Sequence, residues 1–245
     1  MVKVTNQSLS ATQSVSRELA GGLVRFSGIV PRDVSGDIHA QTRNALAIVD
    51  ERLSELGVDR TSVLMVHIWL SSMALFQGMT AEWNNWVGDL APPSRSCVSG
   101  TPVVPGALLE LEVVALLPDA QARPDEIKRY GLVKGSGRPT MCLALCSGGW
   151  FTVCTLASDT SQGIDGQTRQ VLTVFDNLMK EAGVARAASC KLEIWLRDIA
   201  DFDAVNDVLE GWFAPDPVPA ATVVGANMAG PDMLIEIRLT AMTER

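Results

Sequence analysis

A tandem repeat at one fixed offset constrains this chain more than any other feature of it. Gln41-Thr42-Arg43 recurs as Gln167-Thr168-Arg169, a shift of 167 − 41 = 126. The same shift carries Gly57-Val58 onto Gly183-Val184 and Ile68-Trp69-Leu70 onto Ile194-Trp195-Leu196. It also carries Phe76 onto Phe202, Trp86 onto Trp212, Pro93 onto Pro219, Pro105 onto Pro231 and Glu110 onto Glu236. No gap separates these anchors, and chance does not hold one offset across two tryptophan pairs. The chain therefore reads as a tandem duplication in which each half is a domain. The expected boundaries are 1–118 and 129–245, joined by a polar, proline-containing linker at 119–128.

Each half carries the same order of elements. Opening strands (Leu23 to Gly28; Trp150 to Leu156) run through a Gly/Ser/Asp turn into an amphipathic helix. Ile38, Leu46, Val49, Leu53 and Leu56 mark that helix in the first half, and Ile164, Val171, Phe175, Leu178 and Ala182 mark it in the second. Gly57 and Gly183 stand where a helix takes a left-handed C-terminal cap. A strand ending in Trp-Leu, a second helix holding Trp86 or Trp212, a proline turn and a last strand complete the unit. This order predicts an α+β fold, two tandem domains each with two helices on one face of a mixed sheet.

Composition narrows the partners. Apolar residues make up 47% of 245, enough for a sizeable core in each half. A net charge of −8 with no Lys/Arg cluster gives no electrostatic reason to hold a phosphate backbone, so no nucleic acid is expected. The five cysteines are odd in number and fit no zinc spacing, and His39 and His67 are the only histidines. They read as reduced thiols, and no metal site is expected. The polar start, MVKVTNQSLSATQ, lacks a signal-peptide apolar stretch, and the apolar run Leu108–Leu117 is too short to span a bilayer. A cytoplasmic protein with no membrane partner is the expectation.

The chemistry concentrates in PSRSCVSGTPVVPGALLELE, residues 93–112. Arg95 offers a planar fork that suits a small carboxylate. Backbone N–H groups of a Ser96-Cys97 turn could hold the second carboxylate oxygen. Glu110 and Glu112 lie two apart and share one strand face, where either could be an acid or a solvated residue. Cys97 has no histidine near it in sequence to make a thiolate, which favours a packing or backbone-donor role over a nucleophilic one.

This stretch resembles the signature of the Rid/YjgF family of enamine/imine deaminases, P-A-R-S-x-V-x followed by (V/I)-E-(I/V)-E. Ser27-Gly28 and Gln41 fit the family as well, and the resemblance covers the whole chain twice. It implies a chorismate-mutase-like (RidA-like) fold and a reaction in which a small carboxylate-bearing enamine or imine is hydrolysed to a keto acid and ammonia. Arg95, Cys97, Ser27 and Gly28 would bind substrate, and Glu110 with Arg95 would be catalytic. No cofactor is implied. The family packs as three-fold rings, so a two-domain chain implies a homotrimer of six domains in two rings.

The departures from the pattern matter too. The family's N-terminal aromatic aligns near Ser14, and its helix asparagine aligns with Thr80, although the second half keeps Asn206. In the second half Ala221 stands for Arg95, Val223 for Cys97 and Arg238 for Glu112, while Glu236 survives. One working site per chain, in the first half, is the expectation, with Arg238 pairing Glu236. A non-catalytic ligand-binding or protein-interaction module remains the alternative, as does a pathway-specific enzyme acting on another imine or enamine.

Overall fold

The computed structural model describes residues 15–19, 22–118, 123–135 and 137–242, with the backbone alone for 15–19. Ser14, the position aligned with the family's aromatic, lies outside the described residues. The chain divides into two compact units, Met1–Ile127 with Leu132–Cys142, and Lys128–Gly131 with Leu143–Arg245.

The first unit runs β1 (Val15–Leu19), β2 (Leu23–Ile29), α1 (Ile38–Glu55), β3 (Val63–Leu70), α2 (Phe76–Val87), β4 (Ser94–Ser99) and β5 (Leu109–Leu116). Its strands lie side by side in the order β1-β2-β5-β3-β4. Every pairing is antiparallel except β3 with β4, the two strands that α2 connects. A parallel pair needs such a crossover because a hairpin cannot return the chain in the same direction. Gly28 takes a φ of 71° inside a bulge between Phe26 and Ile29.

The second unit repeats this plan after β6 (Lys128–Val133) and β7 (Met141–Ser147), two strands through which the division between units passes. It continues with β8 (Trp150–Leu156), α3 (Ile164–Ala182), β9 (Ser189–Leu196), α4 (Phe202–Phe213), β10 (Ala220–Gly225) and β11 (Ile235–Met242). The order β7-β8-β11-β9-β10 again has one parallel pair, β9 with β10. Both units are thus mixed sheets with two helices on one face.

The helices form where the apolar spacing predicts. Asp37 caps α1 by accepting from the Ala40 amide, and Ile38, Leu46, Val49 and Leu53 form its buried stripe. On α3 the stripe is Val171, Phe175 and Leu178, and Gly183 closes it in the left-handed conformation with φ 71°. These stripes pack on Val66, Ile68, Leu70, Leu109, Leu111 and Val113 in one unit and on Leu192, Ile194, Leu196, Ile235, Ile237 and Leu239 in the other.

Two duplicated hydrogen-bond knots explain why rare residues recur. The Gln41 amide donates to the carbonyls of Val34, Gly36 and Gly106, and its oxygen accepts from Leu108 N. Gln167 does the same with Thr160, Gln162, Asp232 and Leu234 N. Each buried glutamine satisfies backbone groups of two loops that no ladder reaches. In the second knot, Arg60 forks onto Asp50, donates to Trp86 O and packs 5.0 Å from the Trp86 ring, whose Nε1 donates back to Asp50. Arg186, Asp176 and Trp212 repeat that arrangement in the second unit.

Candidate active site

β4 carries the arginine. Residues Ser94–Ser99 form a regular strand in register with Met65–Leu70, so Ser96 and Cys97 lie in extended backbone and not in a turn. The parallel partners are Val66 for Arg95 and Ile68 for Cys97, both in the helix-packed core, and this puts Arg95 and Cys97 on the α2 side of the sheet. Backbone direction also alternates along a strand. Gly100 N donates to Leu70 O, whereas Pro93 O accepts from Cys142 N. Even-numbered peptide groups therefore turn toward β3, and those of Arg95 and Cys97 turn to the other side of β4, where β7 pairs with it at Ser94 and Cys142.

Arg95 is 2% exposed and is held by α2. Its Nη2 donates to Thr80 Oγ1 at 3.3 Å, and its guanidinium carbon lies 5.2 Å from the Phe76 ring and 5.4 Å from the Trp83 ring. Phe76, Thr80 and Trp83 are spaced i, i+4, i+7 and so share one helix face. Burying a guanidinium is costly, and this cage of two ring faces and a hydroxyl offsets part of that cost. Trp83 is itself fixed, since its Nε1 donates to Thr140 O at 2.8 Å, and Asn84 beside it bonds Arg138 O and Thr140 N.

Glu110 belongs to the opposite face. It is the register partner of Trp69, as Glu112 is of His67, and none of these four faces the helices. Glu110 is half-buried, and desolvation raises its carboxyl above the ordinary carboxylate range, partly countered by the Val103 amide. Glu112 pairs with Arg25 Nη1 at 3.3 Å. Ser27 and Gly28 form the β2 bulge alongside the strand that carries Glu112. The structure therefore brings Arg95 and Cys97 together, and separately groups Glu110 with the Glu112 side of the sheet. With β3 between β4 and β5, their strand axes are about 9–10 Å apart.

In the second unit β10 is mostly exposed where β4 is buried, and Ala221 and Val223 offer no cation. Glu236 and Arg238 are buried on the face away from the helices. Glu236 Oε1 accepts from Cys154 Sγ at 3.3 Å; burial foremost, then the Glu236 charge, pushes that thiol well up. Arg238 has an ion pair with Glu193 on β9, at 3.4 Å, and packs 5.5 Å from the Trp195 ring. Sequence reasoning missed Cys154, His67 and the Phe76–Trp83 cage. The i, i+4, i+7 spacing on α2 was a signal for the cage, but a core stripe gives the same one. Among the described residues no group of three or more His, Cys, Asp or Glu could hold a metal ion, and no helix is long and apolar enough to cross a membrane.

Comparison with known proteins places these halves. The family model described as Endoribonuclease L-PSP matches residues 5–117 and again 144–243. A RutC family protein of Haemophilus ducreyi is 29% identical over 96 residues, covering 39% of this chain and 82% of that protein. A 3-aminoacrylate deaminase RutC of Acinetobacter baylyi is 37% identical over 75 residues, 31% of this chain and 59% of that protein. Among solved structures, a chorismatase overlays 98% of this chain and 78% of its own with a TM-score of 0.70 at 12% identity, a likeness of fold alone.

Proposed function

The chain belongs to the Endoribonuclease L-PSP (Rid/YjgF) family, in tandem duplication, and from that premise we propose that its first half hydrolyses a small carboxylate-bearing enamine or imine to a keto acid and ammonia. The observation that carries this reading is the Arg95-Ser96-Cys97 strand, with its buried guanidinium, in the half that also holds a half-buried Glu110 whose carboxyl desolvation raises. A similar protein bears the name 3-aminoacrylate deaminase, which is the same class of reaction. The −8 net charge speaks against the nucleic-acid substrate that the family model's description names.

In this reading Arg95 leaves Thr80 to fork onto both oxygens of the substrate carboxylate. Water adds to the C=N carbon, the C–N bond breaks, and the nitrogen leaves as ammonia with two protons from that water and the one it already carries. Glu110, protonated more readily than an exposed glutamate, gives and regains the proton that this shuttling needs. Its place on the other sheet face, with β3 between, requires a chain of more than one water between it and the substrate. No cofactor enters the balance. Three chains per assembly accompany the reading, which light scattering at micromolar concentration checks; a monomer or dimer overturns that part.

One observation favours a second reading. Arg95 and Glu110 face opposite sides of the sheet, and an arginine alone suits a ligand-binding or interaction module. Enzymatically generated 2-iminopropionate separates the two. Accelerated release of pyruvate and ammonia supports the deaminase, and no acceleration with retained pyruvate binding supports the module.

A further inference from the structure

The second unit, which the reading above leaves without a ligand, has a cleft between its two helices. The cleft holds about 490 Å³, a volume usual for a small-molecule site, and α3 and α4 form its walls. Arg169 of α3 and Asp207 of α4 stand at one end, and the Arg186–Asp176–Trp212 knot closes the other. Asp176 lies 176 − 169 = 7 residues beyond Arg169, which puts the two ends about 10 Å apart along α3. Leu172 and Val208, 2% and 5% exposed, make an apolar floor between them.

The first unit fills the same end differently. There Arg43, the counterpart of Arg169, donates to Glu82, which also bonds His39. At the offset of 126, Val208 stands for Glu82, Asp207 for Ala81 and Gly211 for Asn85. The carboxylate is thus displaced by one residue, about 100° around the helix. Arg169 and Asp207 form no ion pair with each other, and among the described residues neither side chain has an ion pair or a hydrogen bond. Gly211 lies inside α4, where glycine is unfavourable, and a Cβ there would meet nothing within 4 Å. Packing does not call for this glycine; its effect is to keep the cleft open.

We propose that this cleft binds a free α-amino acid with an apolar side chain. Arg169 forks onto the carboxylate, Asp207 accepts from the ammonium, and the side chain lies on Leu172 and Val208 toward Trp212. A cation and an anion held apart across one cleft match a zwitterion, whereas a simple carboxylate or a simple amine leaves one of them unanswered. Arg186 and Asp176 are spent on each other and on Trp212, so they frame the far end without adding a charge that seeks a partner. Every residue involved lies in the second unit, and the inference does not rest on the deaminase reading. Pyruvate has neither the ammonium nor the apolar chain, so it is not a ligand of this cleft.

The test uses the full chain, with L-leucine, L-methionine and L-phenylalanine as probes and amide NMR shifts as the readout. At least one of the three should shift the amides of Arg169, Leu172 and Gly211 saturably, with a dissociation constant of about 1 mM or tighter. The amide of the best binder, which lacks the carboxylate, and its analogue without the amino group should each bind about five- to tenfold more weakly. Arg169→Ala and Asp207→Asn should weaken binding by a similar factor, and both side chains are exposed, so the fold should hold. Gly211→Leu should abolish binding by filling the cleft, without lowering the melting temperature. No saturable shift from any of the three at about 20 mM would overturn the proposal. So would equal binding of the singly charged analogues, or binding retained in Gly211→Leu. If one variant fails to fold, the remaining two decide by the same shifts.

Discussion

Trp83 packs its indole 5.4 Å from the Arg95 guanidinium carbon while its own Nε1 donates to the Thr140 carbonyl. One side chain therefore links the arginine cage to the segment running from Arg138 to Cys142, which belongs to the first unit. The second half has Leu209 at this position and Ala221 at that of Arg95. Trp83→Leu should cost about 2–4 kcal/mol of unfolding free energy, from lost burial and one lost hydrogen bond. Urea denaturation checks this. A cost under about 0.5 kcal/mol would show that the ring is dispensable to the fold.

Arg95→Ala should lower kcat/KM on an established imine substrate about 30- to 1,000-fold, equivalent to about 2–4 kcal/mol of transition-state binding. Arg95→Lys should recover only part, because a point charge lacks the fork. Unchanged turnover in Arg95→Ala removes the residue from the mechanism.

Glu110 gives a pH signature with a definite sign. Desolvation raises its carboxyl in the folded state, so between the unfolded and folded values the native chain holds more protons than the unfolded one. Stability contributed by this group is therefore complete at pH below its unfolded value, about 4.3, and declines as pH rises through the folded value. Glu110→Gln removes the dependence. Its stability relative to the unsubstituted chain should improve from pH 4 to pH 8, while deaminase activity falls. Melting curves across that range would show parallel lines if the carboxyl is unperturbed.

One small carboxylate should bind per chain. Ala221 and Val223 leave the second unit without the fork, and Arg238 is engaged with Glu193. Titration with pyruvate should give a stoichiometry near one that is lost in Arg95→Ala. Binding that survives that change but is lost in Glu236→Ala would assign the working half to the second unit.

The glutamine knots should matter equally in both halves. Gln41→Met and Gln167→Met each strand several buried backbone groups and should cost about 2–4 kcal/mol. A cost confined to one of them would mean that one unit alone sets the unfolding transition measured in urea.

The architecture was legible because it was written twice. Apolar spacing marked α1 and α3, glycines marked their ends, and the offset of 126 supplied an internal check on every element. The site was legible only as a list of residues. Arg95 and Glu110 are 15 positions apart with a loop between them, so alternation along either strand cannot say which sheet face each takes relative to the other. His67 was invisible for a related reason, since nothing in VLMVHIWL says that its neighbour in space is a serine 29 residues on. The cross-strand ion pair of Arg238 with Glu193 was hidden likewise, because reading along one strand does not give its register with the next.

The exchange of charge between the halves bears on how such a chain avoids misassembly. β5 and β11 occupy equivalent central slots, and tandem copies of one fold are prone to trading equivalent strands while they form. Glu112 on β5 meets Arg25 and His67; Arg238 on β11 meets Glu193. If β11 inserted between β2 and β3, Arg238 would confront Arg25 and an imidazole, and β5 between β8 and β9 would set Glu112 against Glu193. Either error sets like charges side by side without a counter-ion, a penalty that the correct arrangement escapes. The inverted pair thus gives each of two halves alike in fold a charge pattern that suits only its own neighbours.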